Sequence, residues 1–541
     1  MTRTAMATRP LPPEVPTLPR ISDYPAYWAA RTPDAPAFSG HGRTWAYAEA
    51  AAEVDRVAAA LWRAGVRPGA RVAVLSVPRV EAFVSFLATA RLGAIWVGIN
   101  PRYTVREIGV LLADARPSLI ASISDFEGRA FPPDIDAALD ATGLWADRPV
   151  RVVLGPGEAS GYLPWEEFLA AGAEADAGEV GRAVAAVTAD QPALIVYTSG
   201  TTGTPKGALL RHSGLVRLGI VEAREFRVPP APRYLGAAPL NHVGGVGDIA
   251  GVALVNGGYT AFRDRSDPDT FLDDLRAERI SVVFTGPVIL IRLAGLIDRT
   301  VLPDLEVIGW GGAPLPLATV RTLAEAGFAL STTYGSSEAT VSVTYSDADA
   351  DLETLATTVG RPDPELDVRL RAPDGTWVTD PGVEGEVTLR HPTVAAGYWN
   401  REDATAALFT EDGALRTGDI GVFTEDGNLR LVGRISEMFK SGGYNVYPRE
   451  VELVIESHPH VRSAVVVSRP DPRWQEVGVC FVEPVAGASV DPDHLRDHAR
   501  TGLANYKVPK DIIVLDTLPL LPNEKVDRQE LKRRARALLD R

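Results

Sequence analysis

Short apolar runs alternate with amphipathic helical stretches through the first two thirds of the chain, and that rhythm admits few folds. The run Val72-Ala73-Val74-Leu75 is followed by a helix-periodic stretch over 79–91 and then by the strand-like Ala94-Ile95-Trp96-Val97. Strand, helix and strand at this spacing make a βαβ unit, because parallel neighbours need a long crossover between them. Another helix over 105–115 precedes the apolar run 118–121, and the alternation returns at 194–196, 282–285 and 307–310. The pattern predicts α/β layers with largely parallel sheets.

Beyond 360 the texture changes. Short alternating runs at 368–370, 385–389 and 429–432 are separated by Asp374-Gly375, Asp412-Gly413 and Asp426-Gly427. Asp-Gly between alternating strands is antiparallel hairpin chemistry, so a β-rich subdomain is expected here. After 434, a helix over 450–457, strands over 461–467 and 477–482 and a helix over 491–503 predict a small α+β domain.

Composition narrows the class. A chain of 541 residues, 45% hydrophobic, can bury large cores without metal or disulfide staples. Its formal net charge of −15 argues against general nucleic-acid or anionic-membrane binding. The single cysteine, Cys480, forms no internal disulfide or cysteine-based zinc site and fits a reducing compartment. Residues 1–16 carry arginines and prolines with no apolar core, so they do not read as a signal peptide, and 537–541 carry no lipidation or peroxisomal signal. The most apolar stretch, 281–297, is broken by Gly286, Pro287, Arg292 and Gly295 and reads as strand, turn and core helix rather than a membrane span. A cytoplasmic protein is expected. His494 and His498 sit four apart on a predicted helix, but with no third ligand in sight they read as surface residues.

The segment richest in chemistry is Tyr197-Thr198-Ser199-Gly200-Thr201-Thr202-Gly203-Thr204-Pro205-Lys206-Gly207, which follows the apolar run 193–196. Its glycines let the backbone approach an anion and expose N–H donors, and its hydroxyls add more. Only six of the 55 basic residues are lysine, so the compact ammonium of Lys206 stands out. The composition suits a polyphosphate. It is not a Walker A loop, because no Gly-Lys-Ser/Thr follows.

This string resembles the phosphate-binding signature of the adenylate-forming superfamily, which includes acyl-CoA synthetases, aryl-CoA ligases, peptide-synthetase adenylation domains and beetle luciferases. Further signatures follow in the family's order over nearly the whole chain. Pro239-Leu240-Asn241-His242 resembles the segment whose histidine borders the acyl pocket, and Gly311-Gly312-Ala313-Pro314 the adenine-side loop. Tyr334-Gly335-Ser336-Ser337-Glu338 resembles Tyr-Gly-x-Thr-Glu, with Ser337 where threonine is usual. Arg416-Thr417-Gly418-Asp419 and Gly433-Arg434 resemble the ribose-binding pair. Lys440-Ser441-Gly442-Gly443-Tyr444-Asn445, Tyr506-Lys507-Val508-Pro509-Lys510 and Asn523-Glu524-Lys525-Val526-Asp527-Arg528 match segments of the C-terminal domain.

The resemblance implies a large N-terminal domain of α/β subdomains plus a β-rich subdomain over 1–433, a hinge at 434–438, and a small mobile α+β domain over 439–541. It implies ATP, Mg²⁺ and coenzyme A as cofactors. Thr198, Ser199, Gly200, Thr201, Thr202, Gly203 and Lys206 would hold the β- and γ-phosphates. Glu338, with Ser337, would ligate Mg²⁺, a hard cation that prefers oxygen. Tyr334 would stack on adenine beside Gly311, Gly312, Ala313 and Gly335, and Asp419 and Arg434 would take the ribose. Lys525 would bridge the acyl carboxylate and the α-phosphate, since one anion approaching another needs a cation. Lys440, Gly442 and Gly443 would line a thiol channel in a second step, after the C-terminal domain rotates. Two positions depart from the pattern: Glu524 replaces the glycine before the lysine, and Ser436 replaces the aspartate or lysine common at the hinge.

The implied reaction is activation of a carboxylic acid to an acyl-adenylate, then transfer to the thiol of coenzyme A. By analogy the acyl pocket is lined near His242, 283–287, 311–313 and 332–334. Those side chains are small or apolar with no aspartate to anchor an amino group, which favours a fatty, cyclic or aryl acid. Alternatives are a stand-alone acyl-AMP ligase serving a carrier protein in trans, use of the adenylate for another bond or on an unusual oxyacid, and a catalytically degenerate nucleotide binder. A homodimer is compatible with all of them.

Overall fold

A computed structural model describes residues 6, 9–147, 149–198, 205–265, 268–340, 342–521 and 526–540. They fall into two compact units, Met1–Asp367 with Leu389–Leu415, and Val368–Thr388 with Arg416–Arg541.

The first unit holds two large sheets. The six-stranded sheet runs Lys206–Arg211, Pro192–Thr198, Ile95–Ile99, Arg71–Leu75, Leu119–Ser122, Val150–Val153. Its inner pairs are parallel, with Val72 opposite both Trp96 and Leu119. Only the Lys206–Arg211 edge is antiparallel to its neighbour. These are the expected βαβ strands, apolar and buried because helices cover them. The nine-stranded sheet contains Val282–Thr285, Val307–Trp310 and Ala329–Gly335 as parallel neighbours. Val282, Val307 and Ala329 lie in one row, and Thr285, Trp310 and Thr332 in another near the carboxyl ends.

The helix Val80–Arg91 is buried along nearly its whole surface. It contacts strands of both sheets. A helix that is apolar all round belongs between two layers. Thr104 starts the helix Val105–Ala115 with a reciprocal cap: its hydroxyl accepts from Glu107 N–H, and its own N–H donates to the Glu107 carboxylate at 2.7 Å.

Two further sheets are built mainly from residues of the second unit. Trp377–Val378, Asp367–Arg371, Glu384–Arg390, Leu415–Phe423 and Leu429–Arg434 form the first, with the antiparallel pairing that the Asp-Gly turns predict. In the second sheet, Val461–Asp471 and Gln475–Pro484 pair along their length, and Asp511–Val514 joins in parallel. Cys480 lies in its core, where burial pushes the thiol well up and leaves it unreactive. The chain turns over 435–437 after Arg434, where Ile435 N–H donates to Gly418 carbonyl.

One core feature of the first unit escaped the pattern. Glu222, on the helix His212–Glu225, is wholly buried and faces Asp248 on the π-helical turn Gly244–Ile249. Two carboxyls bond to each other only while one keeps a proton. Burial raises both: Glu222 well up, and Asp248 to about 7. The unfolded chain would release these protons near about pH 4. The native state therefore binds more protons between there and neutrality, and stability falls as pH rises through that window, by roughly 1.4 kcal/mol per pH unit for each proton held. We expect Glu222→Gln to flatten the decline of Tm between pH 5 and pH 7.5. Melting curves check this, and an unchanged slope would remove the pair as its source.

Candidate active site

The expected phosphate segment sits at a hairpin tip. Strands Pro192–Thr198 and Lys206–Arg211 pair so that Thr198 stands opposite Lys206. Ser199, Gly200, Thr201, Thr202 and Gly203 lie outside the described residues, so the structure speaks for the base of this hairpin only. At that base the Thr198 hydroxyl is 3.4 Å from Glu338 Oε1. The expected phosphate and metal residues Thr198, Lys206 and Glu338 thus gather in one place, though Glu338 is far away in sequence.

The sequence reading missed what holds them there. Residues 396–399 add to the free edge of Lys206–Arg211: Leu209 N–H donates to Gly397 carbonyl, and Trp399 N–H to Gly207 carbonyl, at 2.9 and 2.8 Å. This pairing sets Tyr398 beside the hairpin base. The Tyr398 hydroxyl donates to Glu338 Oε1 at 2.8 Å, and Lys206 Nζ lies 5.4 Å from the centre of its ring. Burial and the Glu338 charge push the phenol far up, so it stays a donor at neutral pH. Glu338 is also pinned through its backbone, whose carbonyl accepts from Ala395 N–H. Asp114 braces the same corner: its carboxylate takes the Tyr197 hydroxyl at 2.8 Å and pairs with Arg401 at 2.8 Å, while its carbonyl accepts from Trp399 Nε1. Tyr197 ahead of the glycine-rich segment and the Gly397-Tyr398-Trp399 run were the available signal.

The adenine-side and acyl-side residues lie at strand ends. Gly311, Gly312 and Ala313 follow Val307–Trp310, and Tyr334 and Gly335 end the neighbouring strand, with Tyr334 buried to 6% exposure. Gly312 is left-handed at φ 82° and exposed with its neighbour Ala313. Ser337 lies in the turn before Thr340, and its carbonyl accepts from Thr340 N–H. Carboxyl ends of parallel strands are where α/β sheets take ligands. His242 is half-buried in the loop after Arg233–Gly236, and Asn241 Nδ2 lies 3.3 Å from its Nε2. Gly98 admits this loop: a Cβ there would come within 2.6 Å of Asn241 Cα.

The remaining expected residues lie in the second unit. Asp419, 4% exposed, stands opposite Arg434 across an antiparallel pair, and Arg434 Nε meets its Oδ1 at 2.7 Å. Lys440 lies on Phe439–Ser441, which turns into Tyr444–Val446 through Gly442 and Gly443, both at positive φ. A Cβ on Gly442 would strike the Trp474 ring at 2.7 Å. Exposed Tyr444 stacks on Tyr506 at 4.8 Å, and Lys510 Nζ lies 5.6 Å from the Trp474 ring centre. Lys525 and Glu524 lie outside the described residues. His494 and His498 flank His458, whose ring centre is 5.9 and 5.3 Å from theirs; His498 Nε2 is within hydrogen-bond distance of Ser457 and of Val454 carbonyl.

Residues 26–399 match the AMP-binding enzyme family, and residues 450–525 match the AMP-binding enzyme C-terminal domain. A feruloyl-CoA synthase of Amycolatopsis sp is 34% identical over 517 residues, 95% of this chain and 99% of its own. An indoleacetate–CoA ligase of Aromatoleum aromaticum is 34% identical over 495 residues, 91% and 93% of the two chains. ATP-bound MatB from Rhodopseudomonas palustris matches with TM-score 0.82 at 27% identity, covering 96% of this chain and 99% of that one. The amide bond synthetase McbA from Marinactinospora thermotolerans matches with TM-score 0.81 at 29% identity, covering 95% and 99%.

The Tyr398–Glu338 bond is charge-assisted and half-sheltered, which makes it worth about 1.5–3 kcal/mol. We expect Tyr398→Phe to slow acid-dependent pyrophosphate release from ATP by roughly 10- to 100-fold, with a smaller effect on ATP affinity. Steady-state rates and equilibrium binding check it; an unchanged rate would show that Glu338 needs no tether.

Proposed function

The chain belongs to the AMP-binding enzyme family, and from that membership we infer that it is an AMP-forming acid:CoA ligase. It activates a carboxylic acid with ATP and passes the acyl group to the thiol of coenzyme A. The observation that carries this reading is the span of the likeness, since two acid–CoA ligases are matched over 95% and 91% of this chain. Both are named for aromatic acids, which supports an aryl or other bulky apolar acid here.

In the first step a carboxylate oxygen attacks the α-phosphorus, and the bond to pyrophosphate breaks. No protein nucleophile is needed; positioning and charge stabilisation suffice. Thr198, Lys206 and the segment between them hold the β- and γ-phosphates and receive the charge that develops on pyrophosphate. Glu338 and Ser337 offer a carboxylate and a hydroxyl, a donor set that fits Mg²⁺. Bound there, the ion would neutralise phosphate charge; Tyr398 keeps the Glu338 carboxylate aimed. Tyr334 and the loop Gly311, Gly312, Ala313 take the adenine, Asp419 and Arg434 the ribose, and His242 borders the acyl group. Lys525 supplies the cation between the two reacting anions.

In the second step sulfur attacks the acyl carbon, and the bond to AMP breaks. Lys440 and the Gly442-Gly443 turn serve this step, and the Tyr444–Tyr506 stack with Trp474 and Lys510 suits the base and phosphates of coenzyme A. We assign 1–433 to the nucleotide- and acyl-binding part, 434–438 to a hinge, and 439–541 to a mobile part. Compact packing divides the chain differently, but packing reports where contacts are dense and a hinge reports where motion occurs. No helix among the described residues is long and apolar enough to cross a membrane; we take the enzyme to act in the cytoplasm.

The decisive measurement is pyrophosphate release from Mg·ATP over a panel of aliphatic, aryl and amino acids, with and without coenzyme A. Acid-dependent release with sustained turnover only with coenzyme A supports the ligase; release that stalls near one turnover and ignores coenzyme A points to a carrier protein or, as in the amide bond synthetase neighbour, an amine. Lys525→Ala is expected to lose about 100-fold or more in adenylation rate with little change in the Kd for ATP. Asp419→Ala is expected to weaken ATP binding itself, by roughly tenfold or more for a buried charged acceptor. Isothermal titration separates the two; unchanged ATP affinity in Asp419→Ala would sink the ribose assignment.

A further inference from the structure

Four of the chain's eight histidines meet in one place, and the two-step chemistry uses none of them. His458 and His460 lie in the turn between the helix Pro448–Glu456 and the strand Val461–Asp471. His494 and His498 lie one turn apart on the helix Pro492–Gly502. Centre to centre, the His458 ring stands 5.4 Å from that of His460, 5.9 Å from that of His494 and 5.3 Å from that of His498. The sequence shows only the helical pair, too few ligands for a metal; the fold brings the others to it. All four belong to the second unit. His458 and His498 are half-buried and His460 and His494 exposed, so the cluster is open to an ion from solvent.

The spacing is that of rings around one ion. An imidazole nitrogen binds zinc at about 2.0–2.1 Å, and tetrahedral geometry then sets neighbouring ring centres about 5 Å apart. Among the described residues no three side chains already converge on one ion position. What differs is orientation: the three rings stand edge-on to His458, at interplanar angles between 75° and 85°. Turning a ring about its side-chain bonds at the surface is fast and cheap.

The protons are placed to allow it. The Ser457 hydroxyl donates to Val454 carbonyl at 2.7 Å, so its oxygen can only accept from His498 Nε2, 2.9 Å away. That nitrogen also lies 3.1 Å from Val454 carbonyl. Both contacts make Nε2 the protonated nitrogen and leave the lone pair on Nδ1. A ring held to a carbonyl through one nitrogen, with the other unprotonated, is how metal-binding histidines are usually oriented. His458 Nδ1 takes only a long bond, 3.3 Å from His460 N–H, so its ring is loosely held. Burial and the three neighbouring rings push the His458 pKa down, which keeps it neutral and able to ligate at neutral pH.

We propose that His458, His494 and His498, with His460 at the rim, form a site for a first-row divalent transition ion, zinc above all, with water completing the coordination. Imidazole suits such ions and serves Mg²⁺ poorly, so the site is chemically distinct from the oxygen donors at Glu338. A bound ion joins the turn after one helix to the next helix. It stabilises the second unit by mass action, since the unfolded chain does not hold these rings together.

The test adds Zn²⁺ alone to the full chain after chelator treatment, without nucleotide and with excess Mg²⁺ to fill oxygen-donor positions. Isothermal titration is expected to show a single saturable ion per chain, and melting curves a Tm that rises with Zn²⁺. His458→Gln and His498→Gln should each weaken binding by about tenfold or more and remove the rise in Tm. His494→Gln, at an exposed position, serves if either half-buried ring proves necessary for folding. His41→Gln, in the first unit, should change neither readout. No saturable Zn²⁺ binding, or binding equally tight in the folded variants of the cluster, overturns the proposal.

Discussion

The free edge of the strand Lys206–Arg211 is where the site is made. Left open, that edge would present unpaired backbone groups and a hairpin tip with nothing to steady it. Residues 396–399 close it with backbone hydrogen bonds to Gly207 and Leu209. The closure has a chemical consequence, because strand periodicity then fixes where Tyr398 points. Its hydroxyl reaches Glu338 and its ring lies under Lys206, so one backbone pairing sets the spacing of an acid, a cation and a hydroxyl. Asp114 supports the arrangement from behind through Tyr197, Trp399 and Arg401. The cost of burying its carboxylate, at 9% side-chain exposure, is offset by the Tyr197 hydroxyl and the Arg401 guanidinium.

Much of the scaffold was legible because its signals are local. Strands such as Arg71–Leu75 and Val282–Thr285 announce themselves as apolar runs between turn residues, and the Asp-Gly turns announce antiparallel pairing. The helix Val80–Arg91 shows the limit of that reasoning. Periodicity says helix, but only the placement between two sheets explains why its outer face is apolar as well. The same limit applies within the site. Glycines, hydroxyls and a lysine packed into eleven residues suit a phosphate, and the order of the whole string, with the resemblance it carries, makes that an expectation. Tyr398 and Asp114 could not be read that way, since their importance comes from pairings between segments distant in sequence.

Asp248 lies between those cases. An aspartate inside the apolar stretch that follows His242 is a local anomaly, because an unpaired acid is rarely placed in a buried helix. What the sequence could not give was its partner. Glu222 sits on a separate helix whose other residues look like ordinary core, and only the packing of that helix against the π-helical turn brings the carboxyls face to face. The four-histidine cluster centred on His458 makes the same point in the second unit. Two were visible as a helical pair, and His458 and His460 join them only through the fold.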